Sequence, residues 1–272
     1  MSIIILTNIH ISDIIFTMIT FKKLVVSSKN IHKLDVESSL LVDYANRNNI
    51  PTFVVSEKAI IRKKIDVDNT TLVAGSIPFV LSALRHLNIE IPKHNPYPII
   101  LKDYLNRNVW HEKKLINAIK YISTHNKPLF IKPAKGWKRF TGFVLEFEND
   151  YRLNSLSKSM PIFVSEPISF ISEWRVYVSD NSIQYISHAN FGGNKDLEPN
   201  INIIMNAINV LNENNFLAGY AIDFGVTNSG DTVLIEVNDG FSIGAYDGIS
   251  SNAYWKVISS RWSELITQYN DI

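Results

Sequence analysis

The order of strand-like and helix-like segments changes near residue 98, and this change limits the possible folds more than any other feature of the sequence. Residues 24–27, 52–56 and 71–75 are short apolar runs that predict strands. Apolar residues at helical spacing lie between the first two runs and again after Ser76, a residue type typical of a helix N-cap. This alternation predicts a small, mostly parallel sheet covered by helices.

Strands predominate in the rest of the chain. Residues 91–98 contain three prolines, which predicts an extended linker between an N-terminal domain, 1–98, and a second domain, 99–272. Helices are predicted around residues 115–122, 200–212 and 252–269. The predicted strands are residues 128–133, 142–147, 161–166, 172–179, 182–188, 217–227 and 231–237. The expected fold class is α/β followed by α+β with antiparallel hairpins.

Composition excludes several classes of function. Hydrophobic residues make up 46% of the chain and charged residues 19%, which is enough apolar surface for a core. The formal net charge is +1 and there is no long basic stretch, so nucleic acid is not expected as a partner. The absence of cysteine excludes disulfides, cysteine-type zinc sites and thiol catalysis. The seven histidines form no metal-binding pair at short spacing, so no transition-metal site is expected.

No targeting or membrane signal is expected. Residues 1–20 are rich in isoleucine, but they carry no basic n-region, they include His10 and Asp13, and they lack a small-residue cleavage site. No run of about 18 apolar residues is present, so no membrane span is predicted. Together with the absence of cysteine, this favours a cytoplasmic location.

Residues 217–237 predict a β-hairpin that brings two acidic side chains together. In the simplest register Val226 opposes Val233, and Asp223 then lies directly across from Glu236. Directly opposed Cβ atoms are about 4.5–5.5 Å apart, and like charges at that distance destabilise a sheet. Glu236 also interrupts an apolar strand, where a buried charge requires a partner.

Asn238 lies on the same strand face as Glu236, because side chains alternate along a strand. The two carboxylates and the amide oxygen therefore converge on one small patch. Hard oxygen ligands of this kind suit Mg²⁺, which also binds substrate phosphates. The alternative is a pair of acidic residues that are solvated or salt-bridged at the ends of the sheet.

Two further segments carry charged residues at the ends or faces of strands. Lys132 ends an apolar strand before the basic loop 134–142, which contains Lys138 and could hold phosphates with its amides and cations. Glu173 and Arg175 share one face of a later strand. Taken alone, the loop is better explained as a basic surface turn, and Glu173 and Arg175 as a solvated strand face with charged pairs.

Taken together and in this order, the segments resemble the ATP-grasp superfamily. The resemblance implies that Lys132 contacts the α-phosphate and the adenine side of ATP and that residues 135–142 cover the β- and γ-phosphates. It implies an adenine-binding hinge that includes Ser165, Glu166, Pro167 and Ile168, and a ribose-binding glutamate, Glu173, seven residues after Glu166. It also implies Mg²⁺ ligands at Asp223, Glu236 and Asn238.

The resemblance covers roughly residues 100–250, and the region before it looks like the pre-ATP-grasp domain that usually precedes this fold. The residues around Lys138, Arg175 and Glu236 are most similar to a compact clade named for two arginines and a lysine. That clade is common in phages and bacteria and has been proposed to modify peptides. The resemblance implies catalytic roles for Arg175 and Lys138, with Arg107 as the other arginine.

The sequence departs from the family pattern at three points. The phosphate loop has only two glycines, Gly136 and Gly142. Ala221 stands where a basic residue often precedes the first metal ligand by two. The family's earlier lysine has no clear counterpart.

The implied activity is that of an ATP- and Mg²⁺-dependent carboxylate–amine ligase, which acts through an acylphosphate on a small-molecule or peptide carboxylate and an amine co-substrate. On the same scaffold, a phosphotransferase and a non-catalytic nucleotide-binding module remain alternatives. Residues 239–244 follow the metal ligands and are expected to line the substrate site.

Overall fold

The computed structural model describes residues 20–28, 33–135, 139–189 and 193–270. Within these residues, eleven strands form three separate sheets. Lys138, which the sequence assigns to the phosphate loop, lies outside the described residues. No described helix is both long enough and apolar enough to cross a membrane.

The N-terminal sheet is parallel, as the alternating pattern predicts. Its strands are β1 (Lys23–Ser27), β2 (Thr52–Val55) and β3 (Thr71–Ala74), in the order β2-β1-β3. The helices between and after them are α1 (Val36–Arg47), α2 (Lys58–Ile61) and α3 (Ile77–His86). Asp35 caps α1 by accepting a hydrogen bond from the Ser38 amide at 2.8 Å. Ser76 is the N-cap residue of α3, but its side chain makes no capping hydrogen bond.

The middle sheet is antiparallel and has the order β4-β7-β5-β6. Its elements are β4 (Val109–Glu112), α4 (Leu115–His125), β5 (Leu129–Pro133), β6 (Phe143–Leu145) and β7 (Ile162–Ser165). Short 3-10 helices cover Ile99–Tyr104 and Tyr151–Ser155. The sequence patterns miss β4 and the first 3-10 helix, because segments of four to six residues carry too little periodicity to be distinguished from a loop.

The C-terminal sheet is also antiparallel, in the order β11-β10-β8-β9. Its elements are β8 (Ser172–Ser179), β9 (Ser182–His188), α5 (Ile201–Glu213), β10 (Gly219–Val226) and β11 (Thr232–Asp239). Helix α5 packs on one face of this sheet through Ile204, Ala207, Ile208 and Leu211. The opposite face of the sheet contributes to the cleft described below.

The last helix, α6 (Ser251–Asn270), joins the core of the N-terminal sheet. Its buried Trp262 donates a hydrogen bond from Nε1 to the Thr71 carbonyl at 2.7 Å. Trp255 stacks on Tyr44 of α1, with ring centroids 4.4 Å apart. Both tryptophans therefore pack in the core, as their seven-residue spacing predicts.

Candidate functional site

A cleft of about 1000 Å³ lies between the middle and C-terminal sheets. Both sheets, the hinge after β7 and the loop after β11 line it. It brings together nine of the predicted site residues: Arg107, Lys132, Ser165, Glu166, Ile168, Glu173, Arg175, Glu236 and Asn238. Asp223 is not on the wall of the cleft, because it lies behind Arg175, with 9% of its surface exposed.

The β10–β11 hairpin pairs the two acidic residues, but its register differs from the simplest one that the sequence predicts. Val226 opposes Thr232, not Val233, so the predicted register near the turn is wrong by one residue. Thr227 pairs with Asp231 around a three-residue turn in which Gly230 has a φ of 85°, a conformation that favours glycine. Asp223 nevertheless opposes Glu236, as predicted.

A β-bulge at Ile235 restores that pairing. Phe224 opposes Leu234 and Asp223 opposes Glu236, so Ile235 is an extra residue on β11. Leu234 is buried in the core beneath α5, whereas Ile235 and Glu236 both line the cleft. In a regular strand Glu236 would share the face of Leu234. The bulge is therefore what turns Glu236 into the cleft.

Arg107 donates hydrogen bonds to two backbone carbonyl groups at the bulge. Its Nη1 donates to the Leu234 carbonyl at 2.8 Å, and its Nη2 donates to the Ile235 carbonyl at 3.0 Å. Nη1 also donates to the Leu105 carbonyl at 2.9 Å. The guanidinium of Arg107 is thus committed to the backbone that carries Glu236.

Two ion pairs occupy the centre of the site. Arg175 forms a bidentate pair with Asp223, with Nε to Oδ1 at 2.8 Å and Nη2 to Oδ2 at 2.7 Å. Lys132 binds Glu236 across the cleft. These contacts join the middle sheet to the C-terminal sheet through opposite charges.

The pKa values of these groups reflect burial and pairing acting against each other. Burial alone would raise the pKa of Glu236, but the charge of Lys132 and its hydrogen bond outweigh it, so the pKa is lowered. Burial would lower the pKa of Lys132, but Glu236 raises it. Both groups are therefore charged at neutral pH.

Asn238 completes the acidic group. Its Nδ2 donates to Asp223 Oδ2 at 3.0 Å and to Glu236 Oε1 at 3.3 Å. The amide thus lies between the two carboxylates, within reach of both. Two carboxylates and an amide oxygen form a hard donor set that fits Mg²⁺. The described residues contain no group of three or more His, Cys, Asp and Glu that could hold a metal.

The predicted hinge has a different chemistry at each residue. Ser165 is 2% exposed, and its Oγ has no hydrogen-bond partner among the described residues. Glu166 is exposed, and its carboxylate accepts hydrogen bonds from the Asn108 amide at 3.0 Å and from Asn108 Nδ2 at 3.2 Å. Ile168 gives the hinge an apolar lining. The Glu166 side chain thus fixes the hinge to the start of β4.

Glu173 lies on β8 in the cleft, opposite Gly225 of β10. Burial raises its pKa, and the charges of Asp223 and Glu236 raise it further. Gly225 has no side chain, and a Cβ there would lie 2.1 Å from the ring of Phe170. The glycine therefore makes room for an aromatic ring in the wall of the cleft.

Several site residues are not identified by sequence reasoning. His94 and Tyr97 line the cleft beside Lys132, although they belong to the segment predicted as a linker. The segment is held in place because the Val237 amide donates to the Pro96 carbonyl at 2.9 Å. Tyr246 stacks beneath Arg175, with the guanidinium carbon 4.3 Å from the ring centroid. In the sequence, the signal for His94 and Tyr97 is that a histidine and a tyrosine lie among the prolines of residues 91–98. The contacts that bring these residues to the cleft join positions far apart in the chain, so local patterns do not predict them.

The comparisons with known proteins concern the family and the fold. The model of an ATP-grasp domain family, the second family of the clade named for two arginines and a lysine, matches residues 104–257, which is more than half of the chain. No curated protein sequence matches the chain.

Solved structures with a similar fold include three ATP-grasp or synthetase proteins of low sequence identity. The RimK domain protein ATP-grasp from Sphaerobacter thermophilus has a TM-score of 0.53 at 12% identity, covering 89% of this chain and 98% of its own. N5-carboxyaminoimidazole synthetase from Staphylococcus aureus has a TM-score of 0.51 at 11% identity, covering 90% and 79%. The corresponding synthase from Aspergillus clavatus, solved with ADP and 5-aminoimidazole ribonucleotide, has a TM-score of 0.50 at 12% identity, covering 90% and 80%. At these identities the likeness concerns the fold.

Proposed function

Since the chain belongs to the second ATP-grasp family of the two-arginine-and-lysine clade, we propose that it is an ATP- and Mg²⁺-dependent ligase that joins a carboxylate to an amine through an acylphosphate. The substrates are a small-molecule or peptide carboxylate and an amine co-substrate. The cytoplasm, where ATP is abundant, is the proposed location.

One observation carries this proposal. Two cations on the wall of the cleft, Lys132 and Arg175, pair with two carboxylates, of which Glu236 lines the cleft and Asp223 lies behind Arg175, and Asn238 bridges the carboxylates. Cations beside a cluster of oxygen ligands are what phosphoryl transfer requires, because catalysis of this kind is mostly positioning and charge stabilisation. A purely structural ion-pair network would not require a cleft of about 1000 Å³ around it.

The roles of the individual side chains follow from their chemistry. Asp223, Glu236 and Asn238 are the proposed Mg²⁺ ligands; when bound, the metal supplies neutralisation of phosphate charge. Lys132 is proposed to bind the α-phosphate. Arg175, a planar donor able to bind oxyanions with two parallel hydrogen bonds, is proposed to stabilise the transferred phosphoryl group or the acylphosphate.

The remaining roles concern the nucleotide and the geometry of the site. The hinge residues Ser165, Glu166 and Ile168 are proposed to bind adenine, and Glu173 to bind the ribose. Lys138, together with loop amides, is proposed to hold the β- and γ-phosphates. Arg107 contacts backbone carbonyls, so its proposed contribution to catalysis is to hold the strand that carries Glu236.

Isothermal titration calorimetry of ATP, with and without Mg²⁺, tests the nucleotide site. Wild-type protein is expected to bind ATP in a Mg²⁺-dependent manner. Glu236→Gln is expected to weaken that binding more than tenfold, and Asp223→Asn to do the same. Glu148→Gln, at an exposed position, is the matched control and should bind like wild type. Failure of the wild-type protein to bind ATP under either condition would reject the proposal.

Product analysis then tests the reaction class. Phosphorus NMR of a reaction with the correct substrates should show ADP and inorganic phosphate, with an amide as the other product. Phosphate retained on the substrate would instead identify a phosphotransferase. Arg175→Ala should lower turnover by two or more orders of magnitude, and wild-type turnover in this variant would show that its assigned role is wrong.

A further inference from the structure

A second cavity, of about 500 Å³, lies beside the cleft at the carboxyl ends of the N-terminal strands. Strand β1 is the centre of its sheet, and the chain passes from β2 on one side to β3 on the other. The ends of β1 and β3 therefore form a switch point, the position at which open parallel sheets bind ligands. Ser27 and Ser28 from β1 meet Gly75 and Ser76 from β3 there.

Among the described residues, the lining of this cavity is polar and carries more negative than positive charge. Asp35, Glu37 and Glu57 contribute carboxylates, and Lys33 is the cation among the described lining residues. Ser27, Ser28, Ser38 and Ser242 add hydroxyl groups to the lining. A lining of carboxylates and hydroxyl groups favours a ligand that donates hydrogen bonds.

Glu37 marks the point where the second cavity opens into the cleft. Glu37, Ser242, Ile243 and Gly244 line both spaces. The Ala245 amide donates to Glu37 Oε1 at 3.0 Å, which fixes the carboxylate at this opening. The other oxygen, Oε2, makes no hydrogen bond to the described residues and can accept one from a ligand.

Only a glycine separates Glu37 from Arg175. A Cβ at Gly244 would lie 3.4 Å from Arg175 Nη1 and 3.6 Å from Glu37 Oε1. No side chain at this position stands between the Glu37 carboxylate, which lines both cavities, and the Arg175 guanidinium in the cleft. A ligand held by Glu37 is thus presented to the part of the cleft where the acyl group is proposed to be activated.

We propose that the second cavity binds the amine co-substrate and that Glu37 receives its ammonium group at the opening toward Arg175. This inference rests on the proposed function, to which it adds the location and the charge of the second substrate. The ligand class is a primary amine, because the described residues that line the cavity include more carboxylates than cations and several hydroxyl groups.

In the proposed step, Glu37 acts as the base that deprotonates the amine. The ammonium gives one proton to the Glu37 carboxylate, and the free amine attacks the acyl carbon of the acylphosphate. A C–N bond forms, the C–O bond to phosphate breaks, and phosphate leaves with that electron pair and with the second proton of the amine. Glu37 then releases its proton to solvent.

The absence of cysteine from the chain makes a direct test possible. Ser242→Cys introduces a single thiol at the wall shared by both cavities. The rates at which this thiol reacts with 2-aminoethyl and with 2-sulfonatoethyl methanethiosulfonate are then measured. The first reagent carries an ammonium group and the second a sulfonate of similar size. The ratio of these rates is normalised to the ratio for Ser157→Cys, which is an exposed position.

A normalised preference of about tenfold for the ammonium reagent is expected, because a cleft with walls of one sign concentrates the opposite charge. Adding Glu37→Gln should reduce that preference to near one. Glycinamide, an amine without a carboxylate, should protect the thiol, whereas N-acetylglycine should not. If Glu37→Gln fails to fold, the protection experiment decides alone.

Three outcomes would each overturn the inference. The thiol shows no preference for the ammonium reagent, the preference is unchanged by Glu37→Gln, or glycinamide and N-acetylglycine protect the thiol equally. Calorimetry with MgATP on the same preparations separates this failure from failure of the proposed function. Binding of MgATP without ammonium selectivity would reject only the amine site. Absence of MgATP binding would reject the nucleotide site, whatever the thiol shows.

Discussion

At the scale of single residues, the cleft is organised by charges that neutralise one another in pairs. Arg175 binds Asp223 and Lys132 binds Glu236, so each proposed carboxylate ligand of the metal has a cationic partner. The same two cations are proposed to contact phosphate groups. Binding of MgATP must therefore exchange partners among these groups, which replaces two buried ion pairs with metal–carboxylate and cation–phosphate contacts.

Glu173 is expected to destabilise the folded protein and to strengthen the binding of MgATP. Its pKa is raised by burial and by the charges of Asp223 and Glu236. A carboxyl group whose pKa is higher in the folded state makes the fold less stable as the pH rises through the shifted range. Glu173→Gln removes this penalty, so the melting temperature at pH 7 should rise by about 1–2 °C, while affinity for MgATP should fall by about tenfold because the ribose loses its acceptor.

Differential scanning calorimetry and titration calorimetry check the two halves of this prediction. Glu148→Gln makes the same chemical change at an exposed position and should change neither quantity. A lower melting temperature with unchanged affinity in Glu173→Gln would show that this residue has a structural role.

His94 is expected to make stability fall in mild acid. Burial lowers its pKa to about 4, and the charge of Lys132 contributes to the shift. Between that value and the unfolded pKa of about 6.5, the unfolded chain binds more protons, so stability is lost as the pH falls through this range. Allowing for solvent screening at a half-buried site, the contribution is about 1–2 kcal/mol.

Melting temperatures at pH 7 and pH 5 measure this effect. The difference between the melting temperatures at pH 7 and pH 5 should be smaller for His94→Gln than for wild type. The same exchange at the exposed His125 is the control and should leave the difference unchanged. An identical pH dependence in wild type and His94→Gln would contradict the prediction.

At the scale of elements, the hairpin of β10 and β11 separates what could be predicted from what could not. Alternation and the turn residues predict the two strands and the pairing of Asp223 with Glu236, and the structure confirms both. The register beside the turn and the bulge at Ile235 are not predictable from local pattern. The contacts at the bulge involve residues distant in sequence: α5 packs over Leu234, and Arg107 donates to the Leu234 and Ile235 carbonyls.

Arg107 is expected to matter for both stability and nucleotide binding. Arg107→Met leaves the Leu234 and Ile235 carbonyls without their donor, which should cost about 2–4 kcal/mol of unfolding free energy. Because the bulge turns Glu236 into the cleft, affinity for MgATP should fall as well. Chemical denaturation and titration calorimetry measure the two effects, with Arg62→Met at an exposed position as the control. Wild-type affinity in a destabilised variant would show that the bulge persists without Arg107.

At the scale of the whole molecule, the C-terminal helix ties the N-terminal sheet to the rest of the protein. Helix α6 supplies Trp255 and Trp262 to the core around β1, β2 and β3. It also approaches the start of β10 closely, where a Cβ at Gly219 would lie 2.1 Å from the Val257 carbonyl. The sequence predicts this helix and its apolar face but not the core that it completes, because periodicity identifies a buried face and not its partner. The predicted boundary at residue 98 remains a prediction.

Arg261 is the polar contact through which α6 holds the end of the strand that carries Glu236. It is 4% exposed and binds Asp239 of β11 through two hydrogen bonds of 2.7 and 2.8 Å. Its Nη1 donates to Glu264 at 2.9 Å, and Glu264 accepts from the Ala218 amide beside β10. One guanidinium therefore forms ion pairs with two largely shielded carboxylates, Asp239 and Glu264, and its removal takes this cation from both.

Arg261→Met is accordingly expected to destabilise the protein by about 3–5 kcal/mol, which corresponds to a fall in melting temperature of roughly 10 °C or more. Lys256→Met changes an exposed residue on the same helix and should change the melting temperature little. If uncompensated charge is the cause, adding Asp239→Asn and Glu264→Gln to Arg261→Met should recover part of the loss, whereas each of these changes alone should be destabilising. A triple variant no more stable than Arg261→Met would indicate that packing of the arginine stem, and not its charge, joins α6 to the sheet.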